Sequence, residues 1–286
     1  RMIQAFKMAM KSISGNKFRA FLTMLGIIIG VMALVILVSL VSGATGTVTD
    51  TISSLGSNLL SVTVSDDKGA PVTLDTLDEW MADPQIGLAA PSATTTATGK
   101  YSSTTKTVTV YGATPAYAPI NGQTVLLGRF LTQADVENHT SVCIITEKTA
   151  EDMVGYTDCL GEEISLDGRK FTVVGILKND DESLTGILTK NSMIAYIPYT
   201  TLMRLSATVS STITSFSVSA PEGGNMATTE SAMKRLLLDR FEDDEDAFSL
   251  LSQNMLEDAM SSVTGILTVL LGGIAAISLI VGGIGI

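Results

Sequence analysis

Histidine is almost absent from this sequence, cysteine occurs only twice, and charge is missing altogether from two long stretches. The single histidine, His139, lies in the polar run Glu137-Asn138-His139-Thr140 with no second ligand and no partner acid of a catalytic pair beside it. It reads as a surface residue, because a metal or a general base needs a constellation rather than one imidazole. A Walker A loop is also missing. Gly99-Lys100 is followed by Tyr101, and Thr94 stands where the first glycine belongs, so ATP is not held by that route. The acidic run Glu242-Asp243-Asp244-Glu245-Asp246 lacks the spaced ligands and turning glycine of a calcium loop, and reads as a solvated face. Cys143 and Cys159 fit two descriptions equally, a disulfide in an oxidising space or two small buried residues that never meet.

The gaps in charge are the strongest positive signal. No charged residue lies between Arg19 and Asp50, and none follows Asp258. Within them, residues 20–41 and 265–286 are apolar almost throughout, and about 20 such residues cross a hydrocarbon core of about 30 Å. Two membrane spans follow; the first apolar run exceeds the roughly 7–15 residues of a signal-peptide core. Neither span carries an ionisable residue, which removes the usual mark of an ion or proton pathway. The small residues Gly26 and Gly30 in the first span, and Gly272, Gly273 and Ala276 in the second, are candidate helix-packing positions.

Charge asymmetry orients the chain. Residues 1–19 hold Arg1, Lys7, Lys11, Lys17 and Arg19 and no acid, whereas the segment between the spans holds all 29 acidic residues. Basic residues beside a span stay on the cytoplasmic side, so the amino terminus is expected inside and the acidic segment outside. Acidity of that degree excludes a nucleic-acid footprint. Ile3, Phe6, Ala9, Met10 and Ile13 recur at helical spacing opposite the lysines, as in an interfacial amphipathic elbow, or as the cytoplasmic start of the first span.

Between the spans, strands are expected at 58–64, 106–111, 142–145, 192–198 and 213–218, and helices at 74–81, 147–154 and 227–241. Asp167-Gly168 between Glu163–Leu166 and Phe171–Leu177 is a strong hairpin signal. Residues 112–130 read as a Pro- and Gly-punctuated connection. The fold class is membrane α-helical spans plus an α+β extracytoplasmic domain of two lobes.

Four segments carry a resemblance. Residues 19–31 (RAFLTMLGIIIGV) resemble the opening span of MacB-type ABC transporter permeases, and 55–60 (LGSNLL) the start of that family's first ectodomain strand. Residues 160–177 (LGEEISLDGRKFTVVGIL) resemble a further family segment, with Cys159 where a proline is usual, and 270–286 are similar to the family's second span. In order and across nearly the whole chain, these matches identify it as a member of the MacB periplasmic core domain and FtsX-like permease group.

The resemblance implies a layout: elbow 1–19, first span 20–42, stalk helix 43–57, a Porter-like lobe from 58–111 and 213–247, an inserted Sabre-like lobe at 112–212, a second stalk helix at 248–263, and a second span beginning at 264–286. It implies a chain cut within the second span, in a bacterial cell membrane. It also implies a non-catalytic permease that dimerises with itself or a related permease. ATP and Mg would be bound by a separate cytoplasmic ABC ATPase, a membrane-fusion-type adaptor would stand outside, and peptides, antibiotics or toxins would be exported by mechanotransmission. Rival readings are a permease that regulates cell-wall hydrolases or releases lipoproteins, and a bitopic receptor or sensor.

Overall fold

The structure, a computed structural model, describes residues 3, 4, 7, 8, 15, 17–54, 59–179 and 191–284. Most of the expected elbow, 1–19, lies outside the described residues. The chain divides into two units, one formed by residues 1–50 and 256–286 and the other by Thr51–Met255.

The first unit holds two long helices. Helix α1 spans Lys17–Ser54, uninterrupted by proline. Within it, Ala20–Gly43 has a mean hydropathy of 3.0, and in the final helix Asp258–Ile277 reaches 1.9; both are long and apolar enough to cross a membrane. Helix α1 has 38 residues, about 57 Å at 1.5 Å per residue, so it outlasts any bilayer core. The expected stalk at 43–57 is helical as far as Ser54, and 55–58 lie outside the described residues.

The second unit contains two lobes. The first is an antiparallel sheet in the order β11-β1-β10-β2, from β1 (Leu59–Val64), β2 (Ala89–Pro91), β10 (Ser215–Ser219) and β11 (Phe248–Ser252). Alternation selects its faces: Leu60, Val62 and Val64 of β1 are buried while Thr63 is exposed. Two helices, α2 (Leu74–Trp80) and α7 (Met226–Arg240), give their apolar sides to the same core, with Leu77, Trp80, Met233, Leu237 and Phe216 packed together. Thr73 and Thr76 form a reciprocal capping box at the start of α2, and the Asn225 side chain accepts from the Ala227 N–H at the start of α7.

The second lobe is a seven-stranded sheet in the order β5-β8-β6-β9-β4-β3-β7, and β8 also pairs with β7. Its strands are β3 (Ala93–Tyr101), β4 (Thr104–Ala113), β5 (Val125–Gly128), β6 (Val142–Thr146), β7 (Glu163–Leu166), β8 (Arg169–Leu177) and β9 (Met193–Pro198). The extra pairing closes six of them into a ring with β5 branching from β8. The predicted hairpin turn is present, with φ of 49° at Asp167 and 81° at Gly168, the two left-handed positions of a type I′ turn. Asp167 also fastens the ring: its Oδ1 accepts from the Thr98 N–H at 2.7 Å and its own N–H donates to the Thr98 carbonyl at 3.0 Å. Phe171, Val173, Ile164, Leu166, Val108 and Ile197 fill the core, each contributing about 1.5–3 kcal/mol of burial free energy.

Three expectations are corrected. Strands β3 and β4 pair within the second sheet, so the lobes divide near Ser92 rather than after Tyr111. Residues 248–252 form β11 against β1, not the start of a stalk helix, and the last helix begins at Gln253. The supposed connection 112–130 contains a short helix, α3 (Tyr117–Ile120), and β5.

Candidate functional site

In the sequence, the two apolar helices flank two neighbouring strands of one sheet. Helix α1 ends at Ser54 and β1 starts at Leu59, while β11 ends at Ser252 and helix α8 (Gln253–Ile284) starts at the next residue. The start of β1 and the end of β11 are direct neighbours, because Leu60 pairs with Ser252 and the ladder continues to Val64 opposite Phe248. Ser252 is 1% exposed, and its Oγ accepts from the Met255 N–H at 3.3 Å, fixing the first turn of α8 to the strand.

Two threads join the lobes. On the outward path, Ser92 separates β2 from β3, and its N–H donates to the Ser215 carbonyl at 2.9 Å. On the return path, helix α6 (Tyr199–Leu205) leads through 206–214 into β10. Tyr199 is buried in the first-lobe core, and its hydroxyl donates to the Ser210 carbonyl at 2.9 Å.

A cleft of about 270 Å³ opens where the lobes face each other. One wall comes from Leu74, Leu77, Asp78 and Met81 around α2, the other from residues 114–119 together with Gln133 and Val136. The second wall is held by Asp135 on helix α4 (Gln133–Glu137), which is 5% exposed. Its carboxylate accepts from Arg129 Nη1 at 2.6 Å, the Thr132 N–H at 2.9 Å, Thr132 Oγ1 at 2.8 Å and Thr140 Oγ1 at 3.1 Å. Burial pushes this carboxyl up, but Arg129 and the threonine donors outweigh it and bring it down to about 2. Thr201 adds a further tie from α6, donating to the Thr140 carbonyl at 2.9 Å.

The residues singled out in the sequence are scattered. Gly26 lies on α1 and Gly272 and Gly273 on α8, all exposed, and an added Cβ at any of them meets nothing within 4 Å. Ala276 is likewise exposed and Gly30 half-buried on their helices. Cys143 on β6 and Cys159 before β7 are free thiols, both fully buried in the same second-lobe core. Burial pushes both thiols up, so neither is a nucleophile at neutral pH. His139 is half-buried with a φ of 50°, and its Nδ1 is buried without a partner, so it is less exposed than its polar neighbours imply. Asp244 of the acidic run pairs with Lys68 at 2.6 Å and Glu245 with Lys234 at 2.9 Å. Among the described residues no group of His, Cys, Asp or Glu could hold a metal ion. The cleft was missed, since its walls are contributed by segments far apart in the chain; the clustered prolines and threonine at 114–119 were its one local trace.

A family profile described as the MacB-like periplasmic core domain matches residues 20–236. The chain belongs to that family. Curated relatives include the macrolide export ATP-binding/permease protein MacB of Neisseria gonorrhoeae, 28% identical over 99% of this chain and 44% of its own length. The protein of the same name from Wolinella succinogenes is 28% identical over 100% of this chain and 45% of its length. The chain thus spans under half the length of these relatives, and the family match falls on the periplasmic core domain. Among solved structures, the periplasmic region of MacB from Actinobacillus actinomycetemcomitans superposes with a TM-score of 0.61 at 18% identity, covering 74% of this chain and 96% of that one. The extracellular domain of the noncanonic ABC-type transporter YknZ from Gram-positive bacteria gives 0.54 at 20% identity, covering 68% and 100%. These likenesses establish a MacB core-type α+β domain flanked by two long apolar helices that anchor it to a membrane.

Proposed function

We propose that this chain is the permease subunit of a MacB-type ABC exporter, coupling ATP hydrolysis on a separate cytoplasmic ATPase to motion of the domain outside the membrane. The observation that carries the reading is the β1–β11 ladder, whose strands follow the first apolar helix and lead directly into the second in the sequence. Spans free of charge make poor substrate channels and good levers, and a sheet edge that receives both levers converts their relative movement into displacement of a folded body. The positive residues before the first span and the acidic segment after it support an amino terminus inside and a domain outside the cell membrane. On this reading ATP and Mg are bound by the partner ATPase, and the permease works as a homodimer or with a related permease. A membrane-fusion-type adaptor receives the exported peptide, antibiotic or toxin.

The test uses the full chain with its ATPase in nanodiscs. A Lys106→Cys variant, exposed on β4, carries a spin label, and the distance between the labels of the two copies is measured with and without ATP. ATP should shift that distance. Inserting four glycines between Ser252 and Gln253 should abolish the shift while leaving ATP hydrolysis intact. A shift that survives the insertion sinks the lever. In whole cells, a membrane-impermeant maleimide should label the same cysteine without lysis; protection until lysis would overturn the orientation.

A further inference from the structure

One stretch of helix α8 is built differently from the rest. Residues 255–260 are mostly strong helix formers, whereas Ser261, Ser262, Val263, Thr264 and Gly265 are five weak ones in a row. Nothing in the chain's own packing demands the glycine: an added Cβ would meet nothing within 4 Å. Three hydroxyls of the same stretch turn back onto the helix. Ser262 Oγ donates to the Asp258 carbonyl at 2.9 Å, Thr264 Oγ1 to the Met260 carbonyl at 2.8 Å and Thr268 Oγ1 to the Thr264 carbonyl at 2.8 Å. Each of these carbonyls is also the acceptor for an N–H four residues on. Sharing an acceptor in this way weakens the helical ladder and favours bending.

The stretch opens the segment Asp258–Ile277, which is apolar enough to cross a membrane and holds no charge after Asp258. When a helix bends in lipid, carbonyls on the opened side lose their N–H partners and find no water to replace them. Here the hydroxyls of Ser262, Thr264 and Thr268 already hold three such carbonyls, so the backbone bonds can lengthen without leaving an acceptor bare. We infer that residues 261–268 are a bending joint, at which the part of α8 that leaves β11 changes direction relative to the apolar part beyond Thr268. On the exporter reading this is where the second lever flexes, and the use of the joint in transport rests on that reading. The joint itself is a property of one helix and needs no ATPase.

The experiment omits the ATPase for that reason. Met255→Cys and Ile277→Cys, both exposed on α8, carry spin labels in the full chain in nanodiscs. Unlabelled chain is added in excess so that only distances within one copy are read, and Cys143 and Cys159, both 0% exposed, stay unlabelled. Were the helix straight, the two labelled positions would lie about 33 Å apart at 1.5 Å per residue. The labelled chain should instead give a broad distribution that extends to shorter distances. Adding Ser262→Ala, Thr264→Ala and Thr268→Ala should narrow it in part. Adding Gly265→Ala as well should bring it to the straight value with about half the starting width. Alanine is the strongest helix former, so these variants keep the helix. A starting distribution already as narrow as that of the four-alanine variant, or one that the four alanines leave unchanged, would overturn the joint. Loss of the ATP-dependent shift at position 106 with the broad distribution intact would count against the exporter alone.

Discussion

Asparagine at position 135 keeps the shape of the aspartate and removes its charge, leaving Arg129 and two threonines aimed at a weaker acceptor. The carboxyl sits at about 2 in the folded protein against an ordinary 3.8, and one unit is worth about 1.4 kcal/mol. The ionised form therefore adds about 2 kcal/mol of stability near neutral pH. The sign follows from the lowered value: the contribution is complete above the unfolded value and is lost as pH falls through the folded one. Asp135→Asn should cost about 2 kcal/mol at pH 7, a fall in Tm of about 4–8 °C for a domain of this size. The gap to the parent chain should narrow by about 1 kcal/mol between pH 7 and pH 3. Near-ultraviolet circular dichroism of the full chain in detergent reads the transition through the ring cluster Tyr111, Tyr117, Phe130 and Tyr196, whose neighbouring centroids lie 5.3–6.5 Å apart. A gap below about 0.5 kcal/mol, or one that stays constant with pH, would refute the view that this carboxylate organises the cleft wall.

Further outcomes are expected. Gly175→Ala drives a methyl group into the Arg129 carbonyl oxygen, so urea denaturation should show a loss of at least about 2 kcal/mol; a neutral result would mean that β5 is not seated on β8. Phe171→Ala, at 1% exposure in the ring's core, should cost about 3–5 kcal/mol in the same assay. Iodoacetamide should leave Cys143 and Cys159 unmodified in the folded chain and modify both once it is unfolded without reductant, as free buried thiols require. Mass spectra showing both protected after unfolding would establish a disulfide instead.

What could be read from the sequence was whatever a single segment encodes. The two spans announce themselves by absent charge, and Asp167-Gly168 marks its hairpin because only a few residues accept two successive left-handed positions. Strand β3 was obscured, since its inward positions are Ala97 and Gly99, too small to produce an apolar alternation. Phe248–Ser252 satisfies helical and strand spacing alike, and only the presence of β1 beside it decides the matter. The lobe boundary was misplaced for a related reason: β4 prefers β9 as a parallel neighbour, a partner some eighty positions downstream that no local pattern announces. The cleft suffered most, because residues 74–91 and 114–136 become walls only after two sheets have formed.

Closure of the second sheet by β8 and β7 has a mechanical corollary. A hoop of strands cannot be sheared open one ladder at a time, because slippage in any seam is opposed by every other seam around the circumference. The inserted lobe is therefore stiff, and Ser92 and the stretch 206–214 are its two covalent connections to the first lobe. Stiffening those two joints should do more to quiet the far end of the molecule than any change inside the hoop.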